Sequence, residues 1–273
     1  MKESLPATAL RKAFKLSRLV RMEAKYAYYA GIRGETLAAP PVFIVGCGHS
    51  GTSLVLAILG THTMLQAVPF ESNVIYKPVD EQERLLKQFE KMTVSNRRRR
   101  WVEKTPRHIL KIGEILQRWP DAKVVIVLRD GRDVACSLRA RQWDFKKAVQ
   151  RWIDDNKAGQ EHWENPQVRV LRYEDIIVDF RSTIQKLMEF IGEPYEERME
   201  RYYESPKRYY DWRILKPNNP MVHERYRNWQ INQPLFDSRG KWKESMSAQD
   251  RETFSEMANS ALIEFGYETS ADW

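Results

Sequence analysis

The sequence predicts an α/β fold: three αβα layers around a central parallel sheet. Two observations carry that expectation. Short apolar runs rich in valine and isoleucine, "VFIV" at 42–45 and "VVIVL" at 124–128, are strand-sized and show no polar alternation, as in strands buried on both faces. Between such runs lie stretches with apolar residues at helical spacing. Strand and helix alternating in this way imply a sheet covered on both sides.

In chain order, residues 1–39 stand apart. Arg11, Lys12, Lys15, Arg18, Arg21 and Lys25 accompany Leu16, Val20 and Ala24, so a basic amphipathic helical arm is expected, ending near Gly31. Two roles fit it: packing on the domain with a solvated basic face, or contact of residues 10–30 with a membrane surface or acidic partner. Residues 40–273 then read as one domain. A strand at 42–45 feeds a helix at 52–59, and "MLQAVPF" (64–70) is a second strand. A helix at 81–92 precedes the short strand "RWVEKT", the helix "HILKIGEILQRW", the strand "AKVVIVLR" and the helix "DVACSLRARQ". "QVRVLRY" (167–173) is the next strand and "DFRSTIQKLMEFIG" the next helix. From 205 to 242 periodicity gives way to aromatic, basic and proline residues, the composition of a binding loop or lid. A final helix opens at Ser247, a suitable cap.

Bulk properties narrow the classes. A 273-residue chain that is 42% hydrophobic and 30% charged is that of a folded domain. No apolar stretch approaches the ~20 residues that span a bilayer, and "MKESLPATALRKAFK" has no signal-peptide core, so a cytoplasmic setting is expected. Two cysteines, Cys47 and Cys136, exclude a disulfide framework or a four-cysteine zinc site. The net charge of +8 suits nucleic acid, a membrane surface, or a phosphorylated or sulfated ligand. The run Arg97–Arg100 reads as a solvated face, with attraction of an anionic acceptor as the rival reading.

The chemistry begins in "GCGHSGTSL", residues 46–54. Gly46 and Gly51 have the separation of a nucleotide-binding Walker loop, but Thr52 and Ser53 follow where lysine and serine or threonine belong. Backbone N–H groups from Gly48 through His49, Ser50, Gly51 and Thr52 to Ser53, at a helix N-terminus, form a nest for phosphate. Without the lysine that spans β- and γ-phosphates, the ligand is expected to carry a 5′-phosphate but no γ-phosphate. A second anion site follows in "VVIVLRDGRDVACSLRAR". Arg129 leaves a strand end, and Ser137 and Arg141 share one face of the next helix. Two anion sites on one sheet imply a nucleotide phosphorylated at two positions.

These segments resemble the sulfotransferases. "GCGHSGTSL" is similar to their 5′-phosphosulfate loop and "LRDGRDVACS" to their 3′-phosphate strand and helix. "VEKTP" resembles their lysine-bearing strand, "LRYEDIIVDF" their tyrosine-glutamate-aspartate segment, and "SRGKWKESMS" their closing basic loop. The five occur in family order over residues 42 to about 266. The resemblance implies a P-loop NTPase-like topology and the donor 3′-phosphoadenosine-5′-phosphosulfate (PAPS), leaving 3′,5′-ADP, with no metal. It implies that Lys104 assists transfer, that Tyr173 lies by the adenine and 3′-phosphate, and that Arg239 and Lys241 close the loop. The family has lysine or arginine where this chain has His49. Either His49 becomes imidazolium beside the dianionic ligand, or Lys104 carries that load. Glu71 matches the family's glutamate base, and His108, two residues displaced from the histidine of the cytosolic members, is its rival. The acceptor implied is a hydroxyl, taken as that of a glycan or glycolipid. A magnesium-dependent P-loop kinase or NTPase is a second class, and a non-enzymatic nucleotide- or nucleic-acid-binding module a third. Nothing in the chain resembles a nucleic-acid fold motif, so no nucleic-acid partner is expected.

Overall fold

The computed structural model describes residues 39–273 except 212 and 220, together with residues 16, 17, 20, 24 and 27. Most of the expected basic arm, and Trp212, therefore lie outside the described residues. The five described positions of the arm are helical, and Leu16 and Val20 are exposed.

Five parallel strands form the sheet: β1 (Val42–Gly46), β2 (Leu65–Ala67), β3 (Arg100–Lys104), β4 (Lys123–Leu128) and β5 (Val168–Arg172). Their spatial order is β2-β3-β1-β4-β5, with β1 at the centre. Val42 pairs with Val102 on one side and Lys123 on the other. This register brings the carboxyl ends of β1, β3, β4 and β5 to one edge. In open α/β sheets ligands bind at that edge.

Side-chain alternation along β1 explains the two apolar layers. Val42 and Ile44 join one cluster with Val55, Leu56, Ile58 and Leu59 of α1 (Thr52–Leu59). Phe43 and Val45 face the opposite cluster, with Phe89, Trp101, Ile109 and Ile126. Phe89 belongs to α2 (Val79–Ser95), and α3 (Ile112–Arg118) follows a short 3₁₀ turn, Pro106–Lys111. A third cluster gathers around Trp152 at the β4 side. It unites α4 (Gly131–Arg139), α5 (Phe145–Gln160) and the terminal α10 (Ala248–Glu264). Asp130, Asp144 and Ser247 cap these three helices by accepting from Arg132, Lys147 and Asp250 backbone N–H groups.

The structure departs from expectation at several elements. Helix α5 occupies a stretch to which the sequence pattern assigned no element. Its buried residues, Phe145, Ala148, Val149, Trp152, Ile153, Asp155, Asn156 and Gly159, include two polar residues and a glycine that weaken the apolar signal. The strand expected at 167–173 ends at Arg172. Tyr173 instead opens α6 (Tyr173–Val178), followed by α7 (Phe180–Ile191). The strand expected at 64–70 is only the three residues of β2. Inside the irregular 205–242 segment lies α8 (His223–Gln230), and α9 (Trp242–Ser245) follows it. The four-arginine run is not a uniform solvated face. Arg100 is buried and pairs with Glu193 at 3.1 Å, while Arg98 donates to the His62 carbonyl at 2.7 Å. Among the described residues no helix is long and apolar enough to cross a membrane.

Candidate active site

A cleft of about 930 Å³ opens at the carboxyl edge of the sheet. Its floor is the loop between β1 and α1. Gly51 caps α1 in the left-handed region, φ 97°, and no side chain bonds the helix's first N–H groups. A Cβ there would sit 2.7 Å from Tyr173 Cδ2, so only glycine fits. The first turn of α1 holds no acidic residue, which leaves orphan amides and the positive end of the helix facing the cleft. Thr52 and Ser53 line the same space.

His49 adopts φ 73°, a left-handed conformation uncommon for a side-chain-bearing residue. Its Nδ1 lies 2.9 Å from Ser137 Oγ, which ties the loop to α4. Burial, followed by the fields of His223, Arg141, Arg227 and Arg151, lowers the His49 pKa to about 3. The ring is therefore neutral in the free protein. Of the two roles opened for it, imidazolium needs a bound dianion to reverse those fields.

Arg129 leaves the end of β4 into the cleft. Trp152 Nε1 donates to its carbonyl at 3.0 Å, and its guanidinium donates to the Ser238 carbonyl at 2.9 Å and Oγ at 3.2 Å. It also lies 4.5 Å over the Tyr173 ring. Tyr173 shares a 2.6 Å hydrogen bond with Ser238 Oγ. The buried Arg129 Nε and Ser50 Oγ have no hydrogen-bond partner among the described residues. Arg141 lies beyond the end of α4 rather than on the same helical face as Ser137, stacked 4.7 Å over Tyr226, yet both line the cleft. Uncapped amides beside the Thr52, Ser53 and Ser137 hydroxyls and the Arg129 and Arg141 guanidinium groups fit a ligand bearing two anionic groups.

Opposite this group stands Glu71. Lys104 Nζ, fully buried at the end of β3, donates to Glu71 Oε1 at 2.5 Å, and Arg227 of α8 donates to the same oxygen. Burial pushes the Glu71 pKa up, but Lys104 and Arg227 together outweigh it and hold the carboxyl below its ordinary value. Tyr210 lies under both cations, 4.9 Å from Lys104 and 4.6 Å from Arg227, with its hydroxyl 3.2 Å from Ser53 Oγ.

The structure thus brings Gly48, His49, Gly51, Thr52, Ser53, Glu71, Arg129, Ser137, Arg141 and Tyr173 to one cleft. Ser50 is buried behind the loop, and Lys104 behind Glu71. It does not bring His108 there. That ring is buried, with Nδ1 3.1 Å from Glu103 and Nε2 accepting from the Ile75 N–H at 3.4 Å. Nor do Arg239 and Lys241 line the cleft. Arg239 is exposed and pairs with Asp237 at 2.7 Å, and Lys241 lies over Phe236. Their neighbour Ser238 takes the inward position. Asp133 fixes that loop by accepting from the N–H groups of Gly240 and Trp242, at 2.9 and 3.0 Å. Sequence reasoning missed Arg151, because α5 was not recognised, and His223, because α8 lies in a stretch read as irregular; Arg227 was read there only as one of the basic residues of a binding loop. Among the described residues no group of three or more His, Cys, Asp or Glu is arranged to hold a metal ion.

The comparisons with known proteins agree with this fold. The family model described as "Sulfotransferase family" matches residues 79–197. The sulfotransferase domain of the Synechococcus PCC 7002 olefin synthase superposes with a TM-score of 0.57 at 15% identity, over 85% of this chain and 96% of that one. A mouse sulfotransferase complexed with PAP superposes with a TM-score of 0.60 at 15% identity, over 85% and 89%. A curated protein of Aquifex aeolicus (strain VF5), described only as uncharacterized, is 29% identical over 207 residues. That match covers 61% of this chain, which spans about a quarter of the relative's length (27%). The chain therefore has the sulfotransferase fold, and its sequence resemblance to that family extends through α2 to α7.

The two depressed histidines set a pH response. His223 is also lowered, to about 4, by burial and then by Arg227 and Arg141. The unfolded chain takes up protons at the ordinary value of 6.5 that the folded protein refuses, so stability falls as pH drops below that value towards about 3. Thermal midpoints measured from pH 7 to pH 5 should fall, and His49→Gln should flatten the fall. An unchanged slope in His49→Gln would remove His49 from this role.

Proposed function

We propose that the protein is a PAPS-dependent sulfotransferase acting on a hydroxyl acceptor. The observation that carries the reading is the pairing of two anion-binding groups with one acid in a single cleft. Uncapped amides of α1 face a 5′-phosphosulfate, while Arg129, Ser137 and Arg141 face a 3′-phosphate. The fold neighbour complexed with PAP, the nucleotide that PAPS leaves behind, supports the same donor. Thr52, where a Walker loop has lysine, disfavours the kinase reading.

Sulfuryl transfer needs a base for the acceptor proton and cations for the charge that develops on the donor. In this reading Glu71 is the base. Lys104 and Arg227 keep it ionised. Tyr173 packs against Arg129 and orients it through Ser238. Nest amides and arginines supply the neutralising charge that a metal supplies elsewhere. The acceptor class proposed is a carbohydrate, free or on a lipid. Tyr226 and Trp143 offer ring faces, and Asn73 and Gln230 offer amides, in the cleft wall. The two unpaired cysteines fit a cytoplasmic setting. Contact of residues 10–30 with a membrane surface belongs to the same proposal.

The deciding experiment incubates the protein with PAPS and a panel of 4-nitrophenol, 4-nitrophenyl glycosides and a galactosyl lipid, scored by sulfonate mass gain. No gain on any member, with PAPS left intact, would overturn the reading. Arg129→Ala should weaken 3′,5′-ADP binding by about 2–4 kcal/mol while barely affecting 5′-AMP, since a charge-assisted pair to the 3′-phosphate is lost. Equal losses for both nucleotides would exclude that role. Glu71→Gln should bind 3′,5′-ADP normally but lose roughly 10²–10⁴-fold in transfer rate. His108→Asn should lose much less. The reverse ranking would make His108 the base.

A further inference from the structure

We propose that Arg227, carried by α8 in the segment over the cleft, supplies the cation at the sulfuryl end of the site that the β1–α1 loop does not. The inference rests on the sulfotransferase reading above and goes beyond it by making α8 part of the reaction centre.

The loop itself offers only neutral donors: amides, the Thr52 and Ser53 hydroxyls, and His49, whose Nδ1 is engaged by Ser137. The arginines lining the cleft divide by position. Arg129 and Arg141 stand with Ser137 on the β4–α4 side. Arg151 lines the cleft beside Gly48, with its guanidinium committed to Asp155 at 3.3 Å. Arg107 stacks 5.0 Å from Tyr76. Arg227 contacts Glu71, and its guanidinium also reaches His223 Nδ1 at 2.7 Å. The His223 ring lies 5.8 Å from the His49 ring, tilted by 33° to it, so Arg227 adjoins the loop through that pair. Its second link to the loop is Tyr210, which it covers and whose hydroxyl meets Ser53. Lys104 is fully buried behind Glu71, whereas the Arg227 side chain is 17% exposed, on the cleft side.

α8 is held for this task. Asn228, fully buried, accepts from the Tyr210 N–H at 3.3 Å and donates to the Arg213 carbonyl at 2.6 Å. In the transfer, the acceptor oxygen forms its bond to sulfur as the bond from sulfur to the bridging phosphate oxygen breaks. Glu71 takes the acceptor proton, and the electron pair leaves on the phosphate of 3′,5′-ADP. Arg227, bonded to Glu71 and adjoining the loop, stands between the group that gains a proton and the group that gains negative charge.

The test measures conversion of PAPS to 3′,5′-ADP, with water or a 4-nitrophenyl glycoside as acceptor, beside 3′,5′-ADP affinity by calorimetry. Arg227→Gln should lower conversion by roughly 10²-fold or more, and by clearly more than it weakens 3′,5′-ADP binding, because that product keeps the 5′-phosphate but lacks the sulfuryl group. Restoring a cation, as Arg227→Lys or as His49→Arg in the Arg227→Gln background, should recover at least about tenfold. Conversion by Arg227→Gln within about threefold of the parent overturns the proposal. So does a loss matched by an equal loss of 3′,5′-ADP affinity, or one that neither cation recovers. A parent protein that leaves PAPS intact would instead overturn the sulfotransferase reading, and this inference with it.

Discussion

One carboxylate oxygen, Glu71 Oε1, joins the sheet to the segment that covers it. Lys104 reaches it from the end of β3, and Arg227 reaches it from α8. Glu71 is also the sole acidic residue in the cleft wall, against five arginines, among the described residues. Without it two cations would face each other across Tyr210 with no counter-charge, and α8 would lose its electrostatic anchor to the sheet. A cleft so rich in positive charge is costly in the free protein, and its two histidines, lowered first by burial and then by the arginines around them, carry part of that cost. The same field becomes favourable when a polyanion enters.

The network behind the cleft shows how the sheet holds this arrangement still. Glu103 neighbours Lys104 on β3 but points away from the cleft and is fully buried. It accepts from the Ser72 and Thr105 hydroxyls, at 2.7 and 2.5 Å, and pairs with His108. Ser72 follows Glu71 directly, so this buried carboxylate fixes the backbone that presents the exposed one. Every polar atom it uses is matched, as a network in such a low-dielectric setting requires. His108 therefore has a sufficient structural task where the structure places it.

The parallel sheet was legible because β1 and β4 bury both faces and leave no polar alternation to confuse the pattern. The loop and Arg129 were legible because glycine and arginine at strand ends have few other uses at that spacing. What escaped notice was built from residues whose pattern is ambiguous. α5 buries Asn156 and Gly159 alongside Trp152, which dilutes its helical stripe. α8 is "HERYRNWQ", polar on nearly every side, and buries only Asn228. No periodicity argument finds a helix whose stability comes from hydrogen bonds and cation-π contacts with Tyr210 and Tyr226 rather than from an apolar face. In the closing loop the eye falls on Arg239 and Lys241, whereas the residue turned inward is the small Ser238.

That last substitution of roles follows from packing. Arg129 lies 4.5 Å over the Tyr173 ring beneath the closing loop, and the short Ser238 hydroxyl bonds both. Asp133 then pulls the next backbone N–H groups down onto α4, which turns Arg239 outward to Asp237. The loop thus contributes position rather than charge. The Arg129 guanidinium is oriented by Ser238, by the His49 carbonyl at 3.3 Å and by the Tyr173 ring, Trp152 holds its backbone carbonyl, and its Nε has no partner among the described residues. A guanidinium held on three sides with one donor unmet is preorganised for an anion, because the entropy of ordering it was spent when the chain folded.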